Sequence, residues 1–147
     1  MPQVDFYVTD AAGEDTRLRL ACRVTEKAYL AGHRVLVWCR STGELARFDE
    51  LLWTFADGSF VPHEPLAGAG PEVQSPVALS SGAEPAAAPE VLVNLDAEVP
   101  PLALQAQRVA EFIDGHPTRR SEGRARFRQY REQGITPITH QLGSGSL

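Results

Sequence analysis

Apolar residues recur along this chain with two different periods, and the alternation between them lays out the elements. Val4 to Thr9 reads VDFYVT, β-branched and aromatic residues closed by Asp10 and Gly13, and predicts a first strand. Asp15 to Ala31 then puts Leu20, Ala21, Val24, Ala28 and Ala31 on one helical face, with Gly32 as the stop. Arg34 to Cys39, RVLVWC, is almost continuously apolar, as a strand covered on both faces requires. Together these predict a βαβ unit with a right-handed crossover. Ser41 and Glu44 have capping-box spacing, and Leu45, Phe48, Leu52 and Phe55 repeat helically after them, which predicts a second helix over about 43–55. Trp53 falls more than about 90° from the centre of that stripe. It is therefore expected outside the main core, as a contact residue.

From Ala56 to Glu90 the composition shifts to Pro, Gly, Ala and Ser, interrupted by two β-like pieces, Ser59 to His63 and Pro76 to Leu79. A mobile connection is expected over about 64–90. Its last part, SSGAEPAAAPE, reads as an exposed loop, because strand signals resume at once in Val91 to Leu95. Arg108 to Asp114 fits either another strand or a short helix, and periodicity does not decide between them. A last helix follows Gly115, His116 and Pro117, and no internal repeat is present. The expected fold class is α/β, one domain over 1–142 with a mostly parallel central sheet flanked by helices, and a flexible tail at 143–147.

A chain of 147 residues that is 43% hydrophobic is long enough to bury one sizeable core without disulfides or metals. Cys22 and Cys39 sit in apolar contexts with no CxxC or Cys/His spacing, and read as buried free thiols of a reducing cytoplasm. The amino terminus lacks a basic and an apolar signal region, and no run of apolar residues approaches a membrane span, so neither secretion nor membrane insertion is expected.

Charge changes the picture at one place. The net charge is −5, which argues against sequence-independent duplex binding, yet residues 118–133, TRRSEGRARFRQYREQ, carry +4. On a helix, Arg120, Arg124, Phe127, Arg128 and Arg131 fall within roughly 100° of arc. From the residues alone two readings stand: a solvated helix whose arginines pair with the acidic body while Phe127 and Tyr130 pack inward, or a face for an acidic peptide with an apolar end.

Catalytic signals are missing. There is no GxxxxGK[ST], and Ala67 to Gly70, AGAG, is followed by proline where a dinucleotide fingerprint needs a helix. His33, His63, His116 and His140 are scattered without metal-ligand spacing, and no nucleophile motif stands out. Neither a cofactor nor a metal is expected.

Several separated segments point the same way. DFYVTD at Asp5 to Asp10, AGHRVLVWC at Ala31 to Cys39, LARFDELLWTF at Leu45 to Phe55, SFVPHEPLAG at Ser59 to Gly68 and R-x-R-F-R-x-Y-R-x-x-G at Arg124 to Gly134 appear in order over nearly the whole chain. This series resembles the chi subunit of bacterial DNA polymerase III. The resemblance implies a Rossmann-like fold and a non-catalytic, cofactor-free adaptor of the clamp loader. Such an adaptor binds the acidic carboxyl-terminal tail of single-stranded DNA-binding protein and so meets DNA indirectly. It implies Arg120, Arg124, Phe127, Arg128 and Arg131 as tail-binding positions, with Ile135 and Thr139 walling the pocket. Phe127 stands where tyrosine occurs in the family, which leaves a hydroxyl unaccounted for. Trp53, Phe60, Val61 and Pro62 correspond to the region facing a psi subunit or an alternative helicase, although Trp53 at the edge of the core and Phe60 as a gap filler is the competing reading. A monomer alone, or a heterodimer with psi, is the expected state. Three other functions stay open: a nucleotide-binding enzyme, a direct single-stranded nucleic-acid binder, and a chi-like adaptor of a repair helicase.

Overall fold

A computed structural model describes residues 1–13, 15–66 and 75–142. The AGAG segment and residues 143–147 therefore lie outside the described residues. The elements run β1 (Gln3–Thr9), α1 (Thr16–Leu30), β2 (Val35–Trp38), α2 (Thr42–Thr54), β3 (His63–Pro65), β4 (Val77–Ser80), β5 (Val91–Asn94), a 3-10 turn (Ala103–Gln105), β6 (Arg108–Ile113), α3 (Pro117–Glu132) and β7 (Ile138–Leu142). The strands form one seven-stranded sheet in the order β3-β4-β2-β5-β6-β1-β7, every pair parallel. With helices on both faces this is the α/β, Rossmann-like architecture the pattern predicts.

Strand alternation sorts the side chains into two cores. Val35, Val37, Val91, Val93, Ala110 and Phe112 face α1 and α2, where they meet Leu18, Ala21, Phe48 and Leu52. Phe6, Leu36, Leu92, Val109 and Ile113 face the other way, toward Tyr130 of α3, Ile135 and the 3-10 turn. β2 and β5 are buried along their whole length, which accounts for their unbroken apolar runs. Each buried Val, Leu or Phe contributes on the order of 1.5–3 kcal/mol, so these two layers dominate the stability.

Local signals place α2 correctly. Ser41 Oγ accepts from the Glu44 amide at 3.1 Å, as the capping spacing requires. The Glu44 carboxylate departs from the standard box: it accepts from the Arg40 amide at 2.8 Å and pairs with Arg17 at 2.6 Å. Residues 108–113 resolve as a strand, because β6 is held between β5 and β1.

The strands depart from the sequence pattern at three points. β1 and β2 are not neighbours; β5 and β6 lie between them. A helix is about 10 Å wide against a strand spacing of about 4.8 Å, so the layer containing α1 covers β5 and β6 as well as β2, and sequence adjacency does not become sheet adjacency. The strand expected at 59–63 begins only at His63. Pro62 has no N–H for a ladder, and Ser59 donates its hydroxyl to Glu26 instead. Finally, Ile138–Leu142 is a strand that the sequence reading did not separate from the segment after α3. It lies at the sheet edge, three of its five residues face solvent and none is buried, so no apolar run marks it.

Candidate functional site

α3 is fastened to the sheet by its own sequence. Gly123, Arg126 and Tyr130 are its buried residues, spaced i, i+3 and i+7, so they form one inward stripe. The helix stops at Gly134, whose φ of +85° is a left-handed conformation that glycine adopts without strain. The Gly134 amide donates to Arg131 O at 3.0 Å and the Ile135 amide to Tyr130 O at 3.1 Å, which turns Ile135 into the core.

The six arginines of this segment do not act alike. Arg119 makes a fork to the buried Asp114 carboxylate, Nε to Oδ1 at 3.0 Å and Nη2 to Oδ2 at 2.6 Å. Arg126 is 5% exposed and donates through Nε to Glu111 at 2.8 Å. Arg120 reaches Asp10 at 3.6 Å. Only Arg124, Arg128 and Arg131 are exposed with side chains that make no ion pair or hydrogen bond with another described residue. The basic face is narrower than the arginine count suggests.

Phe127 lies at the border between the inward stripe and these three cations. Its ring leans on Phe6 of β1, centroids 5.1 Å apart at 57°, and Phe6 in turn meets Tyr130 edge-on at 6.0 Å. Between α3 and the edge of the sheet a cavity of about 300 Å³ opens, lined by Phe6, Val8, Ile113, Phe127 and Thr139, with Arg124 and Arg128 at its rim. Of the residues expected for tail binding, the structure gathers Arg124, Phe127, Arg128 and Thr139 around one recess. Arg131 is exposed on the same helical face, Arg120 is partly engaged by Asp10, and Ile135 is buried beneath α3 and not part of the cavity wall. Phe6, Val8 and Ile113 were missed. Their signal was the alternation in VDFYV and FID, which puts Phe6 with Val8 on one face of β1 and Ile113 on one face of β6.

A second surface is built from α2 and the segment before β3. Trp53 is 44% exposed and Phe60 67%, with ring centroids 5.6 Å apart. Beneath Trp53 lies His63, centroids 4.1 Å apart, whose side chain is fully buried. Its Nδ1 is 2.7 Å from Val61 O. Asp49 Oδ1 is also 2.7 Å from Nε2, a close contact that is not a hydrogen bond. Val61 is wholly buried in the core, so of the four residues expected here Val61 supports the surface from below; Trp53 and Phe60 present it, and Pro62 is half-buried.

Two further histidines are paired locally. His33 pairs with Glu90 at 3.2 Å, and His140 pairs with Asp5 at 2.8 Å while stacking on Tyr7 at 4.8 Å. Among the described residues no three His, Cys, Asp or Glu side chains group to hold a metal. Burial pushes the Cys22 thiol up to about 12 and raises Cys39 as well. The carboxyl ends of the strands, where sheets of this kind hold ligands, are crossed by the pairs Arg17–Glu44 at 2.6 Å and Arg40–Glu122 at 2.9 Å. No helix among the described residues is long and apolar enough to cross a membrane.

The chain is a parallel α/β domain that carries a cation-rimmed apolar recess between α3 and the sheet and an exposed aromatic pair, Trp53 and Phe60, elsewhere. The family model of the DNA polymerase III chi subunit, HolC, matches residues 1–137, and the chain belongs to that family. DNA polymerase III subunit chi of Pseudomonas aeruginosa is 37% identical over 142 residues, covering 97% of this chain and 98% of that protein. The same subunit of Haemophilus influenzae is 27% identical, covering 94% and 96%, and that of Escherichia coli K12 28% identical, covering 92% and 95%.

Proposed function

We propose that this chain is a non-catalytic accessory subunit of the DNA polymerase III holoenzyme, acting in the cytoplasm, that binds the acidic tail of single-stranded DNA-binding protein and links it to the clamp loader. The observation that carries the reading is the recess beside Phe127 with Arg124 and Arg128 at its rim, neither side chain paired with another described residue. An acidic peptide ending in phenylalanine with a free carboxylate needs an apolar slot for the ring, cations for the terminal carboxylate and further cations along the approach. This recess offers all three, with Arg131 extending the basic face. The Trp53–Phe60 pair is the surface for the second partner, a psi subunit or an alternative helicase, since exposed tryptophan beside apolar residues is enriched at binding hot spots.

Direct binding of single-stranded nucleic acid is the weaker reading of the same arginines. Stacking on bases requires a freely exposed aromatic face, and Phe127 is half-buried against Phe6.

Calorimetry with a synthetic acidic peptide ending in phenylalanine tests the proposal on wild type, Arg124→Ala and Phe127→Ala. Wild type binds, both variants bind more weakly, and amidating the peptide's terminal carboxylate weakens binding further. Equal affinity for all three proteins removes α3 from the site, whereas tight binding of an oligonucleotide without any partner protein favours the nucleic-acid reading.

A further inference from the structure

The one acidic residue in the middle of β6 has no place in the recess, yet both buried side chains of α3 beyond its glycine, Arg126 and Tyr130, are tied to it. Glu111 is fully buried. Its Oε1 accepts from Arg126 Nε at 2.8 Å, and its Oε2 accepts from Tyr130 OH at 2.6 Å and from Asn94 Nδ2 at 2.9 Å. Arg126 spreads its remaining donors to Ala97 O at 3.0 Å and Phe112 O at 3.2 Å. Burial raises the Glu111 carboxyl, and the Arg126 charge with the three hydrogen bonds opposes that rise.

Stability does not explain such a network. Replacing a buried ion pair with apolar groups of similar volume is often neutral or stabilising, whereas directional bonds favour one geometry over its neighbours. The geometry in question is the roll of α3. Arg126 and Tyr130 lie on successive turns, so one carboxylate gripping both resists rotation about the helix axis, which a purely apolar contact permits. Phe127 and Arg128 follow Arg126 directly, and Arg124 precedes it by two residues. The other half of the recess, Phe6, Val8, Ile113 and Thr139, belongs to the sheet. Any roll of α3 therefore moves the cations and Phe127 against a fixed floor.

We infer that Glu111 is a positioning residue of the α3 recess, a buried carboxylate that sets the roll of the helix through Arg126 and Tyr130 and thereby the shape of the partner site. It touches no ligand; it acts through the two side chains it holds. The inference rests on the tail-binding reading for its functional meaning but concerns a geometry that can be observed without any partner.

The test is a volume-matched apolar replacement, Glu111→Leu with Arg126→Met and Tyr130→Phe, followed by three readouts: the thermal midpoint, the affinity for the acidic free-carboxylate peptide, and the nuclear Overhauser contact between the rings of Phe6 and Phe127. The expected result is a retained midpoint, a peptide affinity lower by roughly tenfold, and a weakened Phe6–Phe127 contact. Unchanged affinity and an unchanged ring contact in a folded variant overturn the inference. If the triple variant does not fold, Tyr130→Phe alone, which removes a single hydroxyl and no charge, decides on the same readouts, with affinity expected to fall roughly threefold. If the wild type binds no peptide, the tail reading fails by itself, and the ring contact still decides whether Glu111 sets the helix roll.

Discussion

Gly123 of α3 lies so close to Ile113 of β6 that a Cβ at residue 123 would stand 2.5 Å from Ile113 Cγ1 and 2.7 Å from Cδ1. Ile113 is also the floor of the recess. Gly123→Ala therefore sets two effects against each other. Alanine gains about 1 kcal/mol of helix propensity, and overpacking costs typically about 1–3 kcal/mol. Because the atoms that must yield, Cγ1 and Cδ1, belong to a side chain beside a cavity and not to backbone, Ile113 is expected to turn toward the recess and relieve part of the clash. The expected outcome is a thermal midpoint within a few degrees of wild type and a clear loss of peptide affinity, read by calorimetry.

The rim cations and the apolar slot should divide the kinetics of tail binding. Arg124→Ala and Arg128→Ala lower the association rate and flatten its dependence on salt, because exposed charges steer and are screened. Phe127→Ala raises the dissociation rate, at a cost of about 2 kcal/mol or more if the slot is a hot spot. Stopped-flow measurements at two ionic strengths separate the two; identical salt slopes for wild type and Arg124→Ala contradict the steering role.

Trp53 and Phe60 contribute little to the fold that holds them. With Trp53 44% exposed and Phe60 67%, their mutual contact is worth about 0.5–1.5 kcal/mol. Trp53→Phe is expected to leave the thermal midpoint almost unchanged while removing iodide-accessible tryptophan emission, since Trp38 is only 6% exposed. A quenchable signal that persists in this variant contradicts the burial of Trp38.

Asp15 pairs with Arg47, and that hydrogen bond holds the Asp15 carboxyl below its ordinary value of 3.8. A depressed folded pKa means stability that is present above the unfolded pKa and lost as pH falls through the folded one. Both partners are partly exposed, so the pair is worth no more than about 1 kcal/mol. Thermal melts should show Arg47→Gln slightly less stable than wild type at neutral pH, with the gap closing below about pH 4. A gap that widens on acidification would reverse the assigned sign.

The thiols should be silent in the folded chain. With Cys22 pushed up to about 12 and Cys39 raised likewise, a thiol titration at pH 8 is expected to label neither in native protein and both in urea.

What the sequence disclosed followed the physics that acts locally. Unbroken apolar runs gave β2 and β5, a serine three residues before a glutamate gave the start of α2, and the position of Trp53 off its stripe gave its exposure. Where the deciding partner lies far along the chain, composition misled. Arg126 reads as one more surface cation until Glu111 is placed opposite it, although a lone acid within VAEFI was a hint that a cation must come to meet it. Ile135 and Val61 read as contact residues and are core, because turns at Gly134 and before Pro62 direct them inward. The floor of the recess needed the pairing of β1 with β6 and β7, which no local pattern contains.

That pairing also bears on how the chain reaches its fold. β1 is the first strand in the sequence, yet its two sheet neighbours, β6 and β7, are the last two. While the chain is being made, the Phe6 face of β1 has no partner until residues beyond 107 emerge, and closing so long a loop slows folding relative to a chain of local hairpins. The recess is complete only when β1 has paired with β6 and β7, so on the tail-binding reading a chain that captures the peptide is one whose sheet is complete.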